Sequence, residues 1–237
     1  MGRAFEFRKA RKMKRWSNMA KTFTRIGRDI IIAVKEFGPD PSSNSRLRAI
    51  IQNAKGANMP KVNIERAIKK ASEKSTENFK ELILEGYAPN GIAILIEAAT
   101  DNSNRTVANI RSYFNKCDGS LATSGSVDFL FNHYCFFQVK NEGFDIEELE
   151  LELIDFGAIE LIELEDEIII TAKFEDFGSI QRELERKEFK ISSIEFERAA
   201  ITTKNLNKDN IQKVEKLINM IDEDEDVQNV YHDMKNY

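Results

Sequence analysis

Near residue 76 the hydrophobic pattern of this chain changes period, and that change constrains its fold more than any other feature. Before it, apolar residues recur at spacings of three and four. Phe23, Ile26, Ile30, Val34 and Phe37 mark one helix face, and Gly38-Pro39-Asp40-Pro41 stops it. A second helix opens at Asn44-Ser45 and turns Leu47, Ile50, Ile51 and Ala54 inward until Gly56. The third starts with Pro60 in its first turn and buries Ile64, Ala67, Ile68 and Ala71. Three short amphipathic helices of this kind predict a small bundle over residues 1–78.

After residue 76 the runs become strand-like. Leu82–Tyr87 reads as a strand, Ala88-Pro89-Asn90-Gly91 as a turn and Ile92–Ala99 as a second strand. The second run is apolar at odd and even positions alike, so both of its faces should be covered. Asp101-Asn102-Ser103-Asn104 caps a helix over about 104–117, and Gly119, Gly125 and Ser126-Val127 lead into a strand ending near Phe131. Gly91, Gly119 and Gly125 read as turn residues. Residues 133–203 then follow the order βαββαβ, with Asp145 capping the first helix; this is the ferredoxin-like order. A helix over about 208–221 and a strand at Val227–Met234 return to the middle sheet. The expectation is a multidomain α+β protein: a basic helical domain (1–78), a middle α+β domain (79–132 plus 204–237) and a ferredoxin-like α+β domain (133–203) inserted in it.

Charge changes at the same border. Residues 1–80 hold 20 Lys and Arg against 7 Asp and Glu, whereas residues 81–237 hold 15 against 33. The net charge of −5 therefore conceals a basic module on an acidic body. Dense Lys and Arg attract a phosphate backbone, and clustered acid repels it. The candidate nucleic-acid contacts are Arg3, Arg8, Lys9, Arg11, Lys12, Lys14, Arg15 and Lys21 in the N-terminal arm. Arg46 and Arg48 at the start of the second helix join them, with Lys61, Arg66, Lys69 and Lys70 on the outer face of the third. Helices two and three also have helix-turn-helix order, but Arg66 is the only arginine on the third and few residues there can read base edges. In the middle domain Asn102, Asn104 and Arg105 have two readings: a second contact to phosphate or a partner carboxylate, or a helix cap with Arg105 paired to Asp101. The acidic run Asp222–Asp226 reads as a solvated helix-end loop.

Little points to catalysis. Neither histidine, His133 or His232, stands beside a nucleophile or ligand set, and no GxxxxGK[ST], GxGxxG or GxSxG pattern occurs. Cys117 and Cys135 lie 18 residues apart without CxxC spacing, which argues against a disulfide framework or zinc site. The apolar runs are too short to span a bilayer, and the basic N-terminus has no apolar h-region behind it, so it does not read as a secretory signal. The reading is a cytoplasmic, non-enzymatic monomer with no metal or cofactor, binding DNA or ribosomal RNA through its basic end and leaving its acidic domains for protein partners.

Several segments also resemble a known family. Leu47-Arg48-Ala49-Ile50, Asn58-Met59-Pro60-Lys61 and Ile64–Lys70 are similar to the first domain of the YebC family. Glu85–Gly91, Thr100–Thr106 and Gly125-Ser126-Val127 are similar to its second. The resemblance covers nearly the whole chain. It implies three domains, the last inserted in the second, and a probable DNA-binding transcriptional regulator; the alternative it carries is a ribosome-associated translational activator. At Arg3–Phe7 the chain departs from the family's usual His-Ser-Lys-Trp opening, although the basic character is kept.

Overall fold

A computed structural model describes residues 19–73 and 79–235. Contacts sort the chain into two compact units. One contains the described parts of 1–32, 74–132 and 199–237, and the other contains 33–73 and 133–198. The three helices expected before residue 76 are α1 (Met19–Phe37), α2 (Ser45–Gly56) and α3 (Lys61–Ser72). The border between the units falls inside α1, so α2 and α3 belong with the ferredoxin-like strands. α1 ends where Gly38 takes φ +87°, a conformation glycine adopts without steric cost. Asn44 then caps α2: its Oδ1 accepts from Leu47 N at 2.9 Å, and its Nδ2 donates to Ala33 O and Gly38 O at 2.8 and 2.9 Å.

In the first unit β1 (Lys80–Ala88) and β2 (Ile92–Thr100) form an antiparallel hairpin. α4 (Ser103–Lys116) and the short β3 (Ser120–Leu121) follow. Much later come α7 (Lys208–Asp222) and β8 (Val227–His232), which pairs with β2; the sheet order is β3-β1-β2-β8. β2 is covered on both faces, as its unbroken apolarity requires. Ile92, Ile94 and Ile96 pack with Ile110, Phe114, Val214 and Leu217, while Ala93 and Leu95 pack with Val127, Phe131 and Tyr231.

Two expectations change here. No strand runs through Ser126–Leu130; Asp128–Leu130 is a 3-10 turn, and the next strand, β4 (Phe131–Lys140), starts only at Phe131. The cause is Glu85, a buried residue of β1 whose carboxylate accepts from Gly125 N and Val127 N at 2.6 Å each and from Asp128 N at 2.9 Å. One carboxylate takes the N–H groups that a strand would have paired with a neighbour. Gly119 is not the left-handed turn residue, because that conformation falls on Asp118 at φ +57°. Gly119 is needed for closeness instead: a Cβ there would lie 2.8 Å from Tyr87 O. Gly86 is tighter still, its would-be Cβ 2.6 Å from the Phe114 ring and 2.7 Å from Ser120 O. Gly86→Ala should therefore cost about 2–3 kcal/mol, because a fully buried ring and a backbone oxygen would both have to yield. Equilibrium denaturation checks this, and a cost below about half a kcal/mol would show that the β1–Phe114 packing is slack.

In the second unit β4 (Phe131–Lys140), α5 (Ile146–Ile154), β5 (Ala158–Glu163), β6 (Glu167–Lys173), α6 (Phe177–Arg186) and β7 (Ile191–Ala200) realise βαββαβ. The strand order is β5-β6-β4-β7, the ferredoxin-like arrangement. Asp145 caps α5 by accepting from Glu147 N and Glu148 N. α2 packs into this core through Ala49, which joins Phe137, Leu153, Ile170 and Leu184. It also attends to the edge strand β7. Asn53 accepts from Ile194 N at 2.8 Å and donates to Ile194 O, as a neighbouring strand's backbone would, and Gln52 donates to Ile191 O. Both cysteines are buried and free, and burial pushes the Cys135 thiol up to about 12, so it stays an inert core group. His133 stacks on Phe174 with ring centroids 3.9 Å apart. Among the described residues no helix is long and apolar enough to cross a membrane.

Candidate nucleic-acid interface

α3 forms because Pro60 starts it, its interior lacks glycine and proline, and Ile64 and Ala71 bury one stripe with Met59 buried just ahead of it. Turning that stripe inward sends Arg66, Lys69 and Lys70 outward; Lys61, in line with Ile64 but at the first residue of the helix, is exposed as well. Lys61 has Glu65 one turn on at 3.6 Å, a solvent-exposed pair of small energetic weight. No ion pair among the described residues engages Arg66 or Lys69. The face can therefore offer several cations to successive phosphates along one helix.

The other basic candidates are placed differently. Arg3, Arg8, Lys9, Arg11, Lys12, Lys14 and Arg15 lie outside the described residues. Arg46 pairs with Glu36 at 2.9 Å. Arg48 is bound in a fork: Nε and Nη2 donate to the two Glu185 oxygens at 2.9 and 3.2 Å, while Nη1 donates to Pro41 O and Ser42 O. A guanidinium with that many partners ties α2 to α6 and to the preceding turn. Lys21 donates to the Asp222 carboxylate at 3.2 Å and to the Asp222 carbonyl.

Lys21 belongs to a larger pattern in the first unit. Lys21, Arg25 and Arg28 recur at helical spacing along α1 and meet the end of α7, where its dipole is negative. Arg25 reaches Asp222 Oδ1 at 3.1 Å; Arg28 reaches Asp226 at 3.5 Å and also donates to Glu225 O. The run Asp222–Asp226, expected in solvent, is instead an anchor, with Asp224 and Asp226 buried. Burial pushes the Asp222 carboxyl up, but the charge and hydrogen bond of Arg25, with Lys21 beside it, hold it below the ordinary carboxylate range. A three-cation stripe on α1 matching a later acidic run is the signal for this contact, and charge counting by region overlooks it.

Asn102, Asn104 and Arg105 sit in the first unit. Asn102 caps α4 by accepting from Arg105 N at 3.1 Å, and Asn104 is exposed. Arg105 donates to Asp101 at 2.9 Å, as the capping reading anticipates, and also to both oxygens of Asp226 at 2.9 and 3.2 Å. Asp226 is the hub. It accepts from Thr106 Oγ1 at 2.7 Å and Thr100 Oγ1 at 3.2 Å, and backbone pairing of Ala99 N to Asp226 O holds it beside β2. Tyr113 and Asn109 donate to Asp224 at 3.0 and 3.3 Å. The polar loop is thus a structural knot around buried carboxylates, lining a cleft of about 590 Å³ with Arg28, Phe79 and Glu225.

Comparison with known proteins decides the lineage. Residues 3–74 match the TACO1/YebC protein N-terminal domain, and residues 79–234 match the TACO1/YebC second and third domain. The chain belongs to the TACO1/YebC family. It is 66% identical over 235 residues to a probable transcriptional regulatory protein of Flavobacterium johnsoniae, covering 99% of each chain. To one from Porphyromonas gingivalis it is 57% identical, covering 99% and 98%. The crystal structure of a conserved hypothetical protein from Aquifex aeolicus superposes with a TM-score of 0.75 at 38% identity, over 92% of this chain and 90% of that one. The relationship of this TACO1/YebC chain to those proteins therefore extends over nearly its full length.

Proposed function

We propose that this chain is a non-enzymatic nucleic-acid-binding regulatory protein, a DNA-binding transcriptional regulator of the TACO1/YebC type that acts as a cytoplasmic monomer. The observation that carries the reading is the exposed cationic face of α3, where Lys61, Arg66, Lys69 and Lys70 share one short helix. The relatives' naming as probable transcriptional regulatory proteins supports it. The basic arm, Arg3 to Arg15, adds a second set of phosphate contacts. Arg46, Arg48 and Lys21, which already hold carboxylates, serve the protein's own packing. A second reading is a translation factor on ribosomal RNA. It is favoured by the composition of the α3 face, which offers charge but few groups that read base edges, as a contact to folded RNA by shape requires.

The test replaces Lys61, Arg66, Lys69 and Lys70 with Gln, and titrates duplex DNA and ribosomal RNA at several salt concentrations. If all four meet phosphates, the slope of log K against log salt on duplex DNA should flatten by about 3–4. An unchanged slope on both polymers would remove α3 from the interface. Sedimentation of lysate separates the two readings: co-migration with ribosomes that is lost at high salt supports the RNA target, and its absence supports DNA.

A further inference from the structure

Across Asp145–Glu167 the chain carries eleven carboxylates and no Lys or Arg. α5 lies inside this stretch and buries Leu149 and Leu153 in the ferredoxin-like core. Its outer face is not polar throughout. Leu151 is 72% exposed and Ile154, three residues on, 54% exposed, so they share one side of the helix. Phe156 and Ile159 follow directly, 37% and 52% exposed. Leu151 and Ile154 thus set exposed apolar surface within the acidic face of α5, with Phe156 and Ile159 next along the chain, and apolar surface rimmed by polar residues is a mark of interaction sites. The carboxylates around them are largely uncommitted. Glu152, on the flank towards α6, is paired with Lys187, but no ion pair among the described residues engages Glu147, Glu150 or Asp155.

We infer that this face of α5 docks a Lys/Arg-rich amphipathic helix of a protein partner. Charge complementarity selects the occupant. Covering Leu151 and Ile154 would also remove Glu147, Glu150 and Asp155 from water, which is costly unless cations meet them. An uncharged or acidic partner leaves those carboxylates unpaired, and nucleic acid or an anionic membrane is repelled. Strand addition at the neighbouring edge is disfavoured because the β5 ladder shifts register between Ala158 and Glu160, leaving Ile159 outside it. A helix presenting leucines three and four apart with lysines beside them satisfies both the apolar and the acidic positions.

The probe is a labelled Lys/Leu peptide of about five helical turns with leucines at helical spacing, titrated into the full chain at roughly physiological ionic strength. A Lys/Ser peptide and a Glu/Leu peptide serve as controls. The Lys/Leu peptide should bind, protecting amides of 146–160 from hydrogen exchange, and the controls should bind at least tenfold more weakly. Leu151→Ser with Ile154→Ser should weaken binding at least tenfold, and Glu147→Gln with Glu150→Gln and Asp155→Asn should do so independently. Equal binding of the Lys/Ser peptide, unchanged affinity in both variants, or protection at 222–226 in place of α5 would overturn the proposal. So would a dimer that the Leu151/Ile154 variant makes monomeric, since a second copy would then be the occupant.

Discussion

Asp226→Ala should destabilise the chain by about 3 kcal/mol at pH 7, because it removes one member of a buried ion-pair network and leaves the others in place. Arg28, largely shielded, loses its carboxylate at 3.5 Å. The hydroxyls of Thr100 and Thr106 lose a shared acceptor, and Thr106 is fully buried. Arg105, half-exposed and still beside Asp101, turns to solvent and softens the loss. Asp226→Asn tests the charge alone and brings a pH signature. Burial pushes the Asp226 carboxyl up, but hydrogen bonds from Arg105 and Thr106 and the charges of Arg105 and Arg28 hold it below its ordinary value. A carboxyl depressed on folding contributes stability that is present above its unfolded pKa, about 4, and is lost as pH falls through the lower folded value. The gap between wild type and Asp226→Asn should therefore be full at pH 7 and close progressively below about pH 4. Urea denaturation at stepped pH measures it. A gap that persists unchanged into acid would mean that packing, and not charge, holds this knot together.

Glu85→Ala should cost a similar amount, about 3 kcal/mol, or roughly 6–12 °C in melting temperature for a chain of this size. Here the loss is to the backbone. The N–H groups of Gly125, Val127 and Asp128 all point at one buried carboxylate, and truncating it to a methyl group would leave three donors without an acceptor. Val127 would then loosen its packing against Leu95, Phe131 and Tyr231, although Tyr87 would still hold the turn through its hydroxyl on Ser126 O. Glu85→Gln should recover part of the loss, since the amide oxygen accepts but its NH₂ faces donors. Hydrogen exchange at the amides of Gly125, Val127 and Asp128 should accelerate in Glu85→Ala by far more than at β2. If those amides keep their protection, the loop is shaped by its own turn and not by Glu85.

These two carboxylates show what sequence reading reaches. The caps at Asn44, Asn102 and Asp145 are legible because a short polar side chain just ahead of an amphipathic run has one economical use. β2 is legible as doubly covered because a strand with one face in water alternates, and this one is apolar at nearly every position. Glu85 is not legible. A lone Glu after Leu82-Ile83-Leu84 carries no local sign of burial, and only the folded chain shows three amides 40 to 43 residues away converging on it. The same holds for Asp226, which reads as part of one solvated run with its four predecessors until α1 and α4 are brought against them.

The candidate interface divides in the same way. Arg66, Lys69 and Lys70 follow from periodicity, because the Ile64–Ile68 stripe dictates which way the remaining side chains face, whereas Lys61, three residues before Ile64, owes its exposure to being the first residue of the helix. Arg46 and Arg48 join them from their place at the start of α2 and Lys21 from its place in the basic arm, and each proves to hold a carboxylate: Glu36, Glu185 and Asp222. The last two partners lie 137 and 201 residues along the chain.

Local sequence thus accounts for the helical beginning, the α+β body, the ferredoxin-like order of 133–203 and the cationic face of α3. All of these rest on periodicity, capping and turn chemistry, which act within a few residues. Which cations remain available, and which are consumed in folding, emerges once the elements are packed together. Whether a guanidinium faces water or a carboxylate is settled by elements more than a hundred residues apart, and electrostatic energy depends on that separation in space, not on spacing along the chain.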